Sequence, residues 1–391
     1  MCEICKAYKD FEHSIKIHNA NKQKEHLYQS EFPVVNEYER KFKNYFANLA
    51  GKIMDDLVKE AFKIIKEKSK IKKALVMDIN EIDRLRQIID KNVLSFISQN
   101  FGVEQLTDSE KEFLLKHNIN PYELSKEQLS IIDIAFKHGM YLQDAGRDNA
   151  KKINLHTFEQ KLKSNKFLPL SEKEKAALNS VKLESAKHIK GLGNRWNDQT
   201  QSILIEADKK KRKELERVIT DKTKEAIVNR STVQEFASDL GHATGQWSRD
   251  LIRNSQYILH DAHEQGSAHE AERLNGGDAK VYKRVYTGAC KHCERLFLTN
   301  GIGSKPIVFT LSKLRDNGSN IGKKVDQWQA TISPVHPYCR CELVVLEDWE
   351  IWDEEKGKFV TKKKSKDELE QKKQEIRRKI LEKRKKERLN V

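Results

Sequence analysis

Asn275-Gly276-Gly277-Asp278-Ala279-Lys280-Val281-Tyr282-Lys283-Arg284-Val285-Tyr286 is the stretch in which the chain changes its period. The Asn-Gly-Gly-Asp cluster stops a helix, because glycine adopts the backbone angles that end one at little cost. Beyond it Val281, Lys283 and Val285 alternate with Tyr282, Arg284 and Tyr286, the period of two that a strand requires. Upstream the period is helical: Trp247, Leu251, Ile258 and Ala262 share one face of a long helix reaching about Leu274. Thr232-Val233-Gln234-Glu235 opens a shorter helix before it, which Gly241 ends. Downstream, Lys305 to Phe309 and Glu342 to Leu346 read as short strands rich in Val and Ile. The expected fold is mainly α with a small C-terminal α+β unit, zinc-stabilised as argued below, over residues 276–350.

Toward the N-terminus the helical language continues. Phe42, Phe46, Leu49 and Ile53 recur every three or four residues. Thr107-Asp108-Ser109-Glu110, Ser125-Lys126-Glu127-Gln128 and Ser171-Glu172-Lys173-Glu174 match capping boxes, in which side chains satisfy the orphan amides of a helix start. The break at Phe167-Leu168-Pro169-Leu170 divides residues 1–168, an N-terminal helical region, from residues 169–275, a helical region leading into the C-terminal unit. Residues 351–391 are expected to form a basic tail, helical or disordered. The 391 residues include only 17 glycines and 6 prolines, roughly half the average usage. Hydrophobic residues at 37% fall below the usual value of about 45%, so an extended, multi-helical molecule is expected.

The longest aliphatic run is Leu343 to Leu346, whereas a membrane span needs about 20 apolar residues. Met1-Cys2-Glu3-Ile4-Cys5-Lys6 offers no apolar core of a secretory signal. In such a chain, paired cysteine clusters point to a metal more than to disulfides. Four of the six cysteines are arranged as Cys290-Lys291-His292-Cys293 and His336-Pro337-Tyr338-Cys339-Arg340-Cys341. Two thiolates from one tight turn with a distant His and Cys make a tetrahedral zinc site. The expected ligands are Cys290, Cys293, His336 and Cys339, with Cys341 able to replace a distal ligand because it shares a strand face with Cys339. Four protein ligands leave no open position, so such a zinc is structural. It would tie the turn after the first strand to the segment before the last.

Net charge is +15, and the last thirty residues hold 14 Lys and Arg against 6 Asp and Glu. Lys372, Lys373, Arg377, Arg378, Lys383, Arg384, Lys385 and Lys386 are the expected contacts with nucleic-acid phosphates or an acidic partner. Other features read more plainly. Cys2 and Cys5 with His13 and His18 suggest at most a second zinc site. His260, His263 and His269 crowd the long helix, but Ser267 stands where a metalloprotease helix would place its second His; a solvated or interfacial cluster is expected. Gly191-Leu192-Gly193 and Gly301-Ile302-Gly303 are expected to be turns, and Trp247 and Trp328 to be core.

The spacing of the two cysteine clusters, preceded by a helix carrying Trp247, Arg249, Arg253 and Asn254, resembles the phage Mu F-like minor head proteins, the head morphogenesis proteins of tailed bacteriophages. The resemblance covers about residues 230–346 and is carried most specifically by His336-Pro337-Tyr338-Cys339-Arg340-Cys341. Where many members have an Asp-x-Arg segment before the first Cys, this chain has Thr287-Gly288-Ala289. The resemblance implies a structural, non-enzymatic virion component made in the host cytoplasm. It would be incorporated near the portal in few copies, with the portal protein, capsid or scaffolding proteins and packaged double-stranded DNA as partners. The alternative is a zinc-containing nucleic-acid-binding protein or a nuclease of the His-Asn-His type. Such a nuclease requires a His beyond its second metal pair, and none follows Cys341.

Overall fold

The computed structural model describes residues 30–69, 79–124, 130–164, 170–217, 222–286, 288–336 and 339–361, and beyond these Gln371, Glu375 and Arg378. The expected box at Ser125, the break at Pro169, Cys2, Cys5, His13, His18 and most of the tail lie outside them. Helices dominate: α1 (Pro33–Ser69), α2 (Ile79–Phe101), α3 (Asp108–Lys116), α4 (Pro121–Leu124), α5 (Ile131–Ala145), α6 (Arg147–Ala150), α7 (Leu155–Lys163), α8 (Glu172–Arg217) and α9 (Lys222–Asn275). Then follow β1 (Lys280–Arg284), α10 (Lys291–Phe297), β2 (Phe309–Thr310), α11 (Leu311–Asp316), β3 (Glu342–Val345), β4 (Glu350–Asp353) and β5 (Lys358–Thr361). No helix among the described residues is long and apolar enough to cross a membrane. The chain divides into two compact units, residues 1–135 with 151–259, and residues 136–150 with 260–391. The second unit thus takes in part of α5 and the end of α9 as well as the sheet, which the sequence boundaries at 168/169 and 275/276 do not.

In the first unit, α2 packs against α1 and α8. Leu85, Ile89, Val93, Phe96 and Ile97 are buried along α2, the stripe of an amphipathic helix. Phe42, Phe46, Leu49 and Ile53 are buried as their spacing predicts. Phe42 meets Phe46 edge-to-face at 4.8 Å between centroids, the arrangement that aromatic quadrupoles favour. Two of the expected capping boxes form. The Thr107 amide donates to Glu110 Oε2 at 2.8 Å and the Glu110 amide to Thr107 Oγ1 at 3.3 Å, while the Ser171 and Glu174 pair does the same at 2.7 and 3.3 Å. Two expectations are corrected. α9 runs without interruption through residues 232–241, and Gly191 and Gly193 are not in a turn but inside α8. Gly193 faces α2 closely enough that a Cβ there would stand 3.2 Å from a Val93 methyl. On the same helix Trp196 stacks on Trp247 at 4.0 Å, and the Trp247 indole donates to the Leu192 carbonyl at 2.9 Å.

In the second unit the strands pair antiparallel in the order β2-β1-β3, with Val281 opposite Phe309 and Lys283 opposite Leu343. The α9 helix ends where expected: the amide of Gly276, at φ +82°, donates to the Glu272 carbonyl at 2.7 Å. The strand expected over 305–309 shrinks to Phe309–Thr310 plus a bridge between Leu298 and Pro306. The expected tail is corrected at its start, because Glu350–Asp353 and Lys358–Thr361 form a hairpin rather than helix or disorder. Its Phe359 ring packs on Tyr282 at 4.8 Å and on Trp352 at 5.3 Å, so two aromatics outweigh the surrounding charge. Ala268 and Ala271 of α9 join Val281, Phe297, Leu311, Leu314, Ile332 and Leu343 in a core that also contains Cys293, Cys339 and Cys341.

Within this unit α5 and α9 cross with their backbones in contact. A Cβ at Gly139 would stand 1.9 Å from the His263 carbonyl oxygen, and one at Gly266 would stand 1.9 Å from that of Phe136. Gln143 closes the crossing with a 2.6 Å bond to Ser267 Oγ. Gly266→Ala must push the helices apart, an overpacking cost of about 1–3 kcal/mol that exceeds the roughly 1 kcal/mol Ala gains over Gly in an open helix. We expect Gly266→Ala to lower the denaturant midpoint. Gly51→Ala in α1, where nothing lies within 4 Å of the new Cβ, should raise it or leave it unchanged. Equal behaviour of the two variants would contradict the close crossing.

Candidate metal centre

The sheet brings the two cysteine clusters together. Arg284 at the end of β1 pairs with Glu342 at the start of β3, so the chain leaving β1 and the chain entering β3 run side by side. Cys290 caps the start of α10 and Cys293 lies in its first turn, with the Glu294 amide bonded to the Cys290 carbonyl at 3.1 Å. That single turn sets the two sulfurs 3.7 Å apart. On the other arm the Cys339 amide donates to the His336 carbonyl at 2.9 Å, a turn that aims both side chains at the first pair. His336 Nε2 lies 3.0 Å from Cys290 Sγ and 3.6 Å from Cys293 Sγ, and the sulfurs of Cys293 and Cys339 are 3.6 Å apart.

The ligand atoms of Cys290, Cys293 and His336 lie within 4.8 Å of one another, as do those of Cys293, Cys339 and Cys341. Cys293 belongs to both triads. All five residues expected from the sequence are therefore close enough to hold a metal ion. Their thiols are free, with Cys293, Cys339 and Cys341 buried and Cys290 half-buried. Trp328 is corrected from core to a half-buried cover. Its ring lies nearly parallel to His336 at 6.3 Å and meets His292 at 5.2 Å, while its indole donates to the Lys323 carbonyl at 3.1 Å.

The electrostatics are compatible with a cation at this cluster. Hydrogen bonds from Cys293 and Cys341 hold the Cys339 thiol well below its usual pKa. The same coupling to Cys339 pushes Cys293 up. Three sulfurs so close cannot all be anionic without a positive charge among them. Burial lowers the His336 pKa, which favours the neutral imidazole that metals bind.

Beside this centre lies a second polar cluster, expected to be solvated or interfacial. Burial within the fold corrects the solvated alternative. His260 and His263 are buried, at 8% and 3% exposure, and Glu264 is fully buried. Glu264 Oε2 accepts from Lys283 Nζ at 2.6 Å and from the Leu343 amide at 2.8 Å, and Lys283 also donates to the Ile332 carbonyl at 2.5 Å. Burial alone would raise the Glu264 carboxyl, but Lys283 and the two histidines outweigh it and bring the pKa to about 2. Burial takes His260 down to about 4. Lys283 sits on the buried face of β1, beside Val281 in the alternation. Its sequence signal was that position on the apolar face, and the signal for the others was the His260-x-x-His263-Glu264 spacing, which places all three on one side of a helix.

Of the expected tail contacts, Arg378 is helical and exposed. Lys372, Lys373, Arg377, Lys383, Arg384, Lys385 and Lys386 lie outside the described residues. The fold and site define a mainly helical protein with a small antiparallel sheet and a cysteine/histidine cluster able to hold a metal. No protein-family model, curated protein or solved structure matches the chain.

Proposed function

We propose that the chain is a structural minor head protein of a tailed bacteriophage whose C-terminal unit is closed by one zinc ion. The observation that carries the reading is the meeting of Cys290-x-x-Cys293 with His336-x-x-Cys339-x-Cys341 in one cluster, the motif on which the resemblance rests. Zinc suits the spacing: tetrahedral bonds of about 2.3 Å to sulfur give sulfur–sulfur edges of about 3.8 Å, beside the 3.7 and 3.6 Å found. Cys290, Cys293, His336 and Cys339 fill the four positions, with Cys341 the alternative to Cys339. A closed set of protein ligands makes the ion a staple rather than a catalyst.

In this role the chain acts near the portal during procapsid assembly, with portal and capsid or scaffolding proteins as partners. The basic tail meets packaged DNA through its phosphates. Deleting residues 362–391 then removes DNA binding that weakens steeply with salt; unchanged binding would reject the tail's part. The role itself is tested by quantitative mass spectrometry of purified phage particles from the source of the sequence. A few copies per head relative to the major capsid protein are expected, and complete absence would contradict a virion component.

A further inference from the structure

We propose that His260, His263 and Glu264 form a second metal site, for one divalent cation of the zinc type, standing beside the cysteine centre and joined to it by a hydrogen bond. The three ligand atoms lie within 4.8 Å of one another. His263 Nδ1 stands 3.5 Å from Glu264 Oε1, close to the edge of about 3.4 Å expected of a tetrahedron with bonds of about 2.1 Å. Two imidazoles and a carboxylate are a donor set that zinc accepts.

The orphaned atoms give the second, independent observation. Both ring nitrogens of His263 and Oε1 of Glu264 are buried without a hydrogen-bond partner, whereas buried polar atoms are nearly always satisfied. The Lys283 pair explains only Oε2 of the carboxylate, which takes both of its bonds. Nothing in that pair uses Oε1 or the His263 ring. A cation among the three ligands satisfies Oε1 and the one His263 nitrogen that faces it.

The surroundings hold the ligands in place. His260 Nε2 lies 3.3 Å from the Cys341 carbonyl, and a ligating histidine usually donates its other ring N–H to such a carbonyl. The bond leaves Nδ1 to face a metal and ties the site to the last cysteine of the neighbouring centre. His138 adds a fully buried imidazole beside the cluster, its ring centroid 5.3 Å from that of His263. The Lys283 ammonium competes for the same carboxylate, so this site binds more weakly than the thiolates and releases its ion first to a chelator.

Cobalt exchange of the full-length protein tests the proposal, since thiolate ligation gives an intense near-ultraviolet charge-transfer band that nitrogen and oxygen ligation does not. We expect two cobalt ions per wild-type chain. His263→Leu and, as a milder variant, His260→Gln should each keep one ion with the charge-transfer band undiminished. A wild-type chain holding one cobalt with the full band, or two ions retained in both variants, would overturn the second site. One cobalt without the band would support it and overturn the cysteine centre instead, so the two readings fail separately.

Discussion

Removing a metal held by the cysteine cluster, or replacing Cys293 by Ser, should strip protection from the β1 and β3 amides in hydrogen exchange while leaving α2 and α8 protected. The reason is scale. Structural zinc contributes about 10–16 kcal/mol in small metal-folded domains at neutral pH, comparable with or above the whole stability of a typical domain. The segment between the clusters carries only a two-residue strand, two short helices and a 3-10 turn at Val325–Gln327, and its apolar core is shared with the candidate ligands Cys293, Cys339 and Cys341 themselves. The first unit has an aromatic core of its own, built on Phe42, Phe46, Phe96 and Phe101. Because zinc binds thiolates, protons compete with it, so a chelator should succeed more readily as the pH falls. Strand protection untouched by metal removal would mean that the cluster is a set of ordinary buried thiols.

The second large effect is expected at Lys283. Its ammonium and the Glu264 carboxylate are each 1% exposed, so in metal-free protein Lys283→Met leaves a buried charge unmatched, a loss of about 3–5 kcal/mol. Replacing both partners, as Lys283→Met with Glu264→Leu, should recover much of that loss in denaturant melts, because it is removal of one partner alone that is costly. The pH dependence has a definite sign. The Glu264 pKa in the folded protein is depressed, to about 2 from the usual 4.5. Its contribution is therefore fully present above about pH 4.5 and is lost as the pH falls toward 2. A single variant no less stable than the double would contradict the pair's role.

The parts of the structure legible in the sequence were those set by local chemistry. Gly276 ends α9, Thr107 and Ser171 cap their helices, and the alternation over Val281 to Arg284 makes a strand, because each needs only its neighbours. The cysteine spacing likewise picked out the five residues that meet, although it takes the pairing of β1 with β3 to bring the two clusters together. What escaped depends on partners distant in sequence. Gly191 and Gly193 read as turn residues because glycine lowers helix propensity, yet Gly193 is there to admit Val93 of α2. The histidines of α9 read as solvated or interfacial because their burial is made by α5, β1 and β3. The hairpin at 350–361 was hidden under charge, its strands held by Trp352 and Phe359 across the register.

The most direct test of the metal centre is the mass of the full chain measured first under native conditions and then denatured, without reductant. We expect metal bound in the native state and, after denaturation, a metal-free chain with Cys290, Cys293, Cys339 and Cys341 in the reduced form. A native mass without metal, or a denatured mass short of two hydrogens for each disulfide formed among Cys290, Cys293, Cys339 and Cys341, would contradict it.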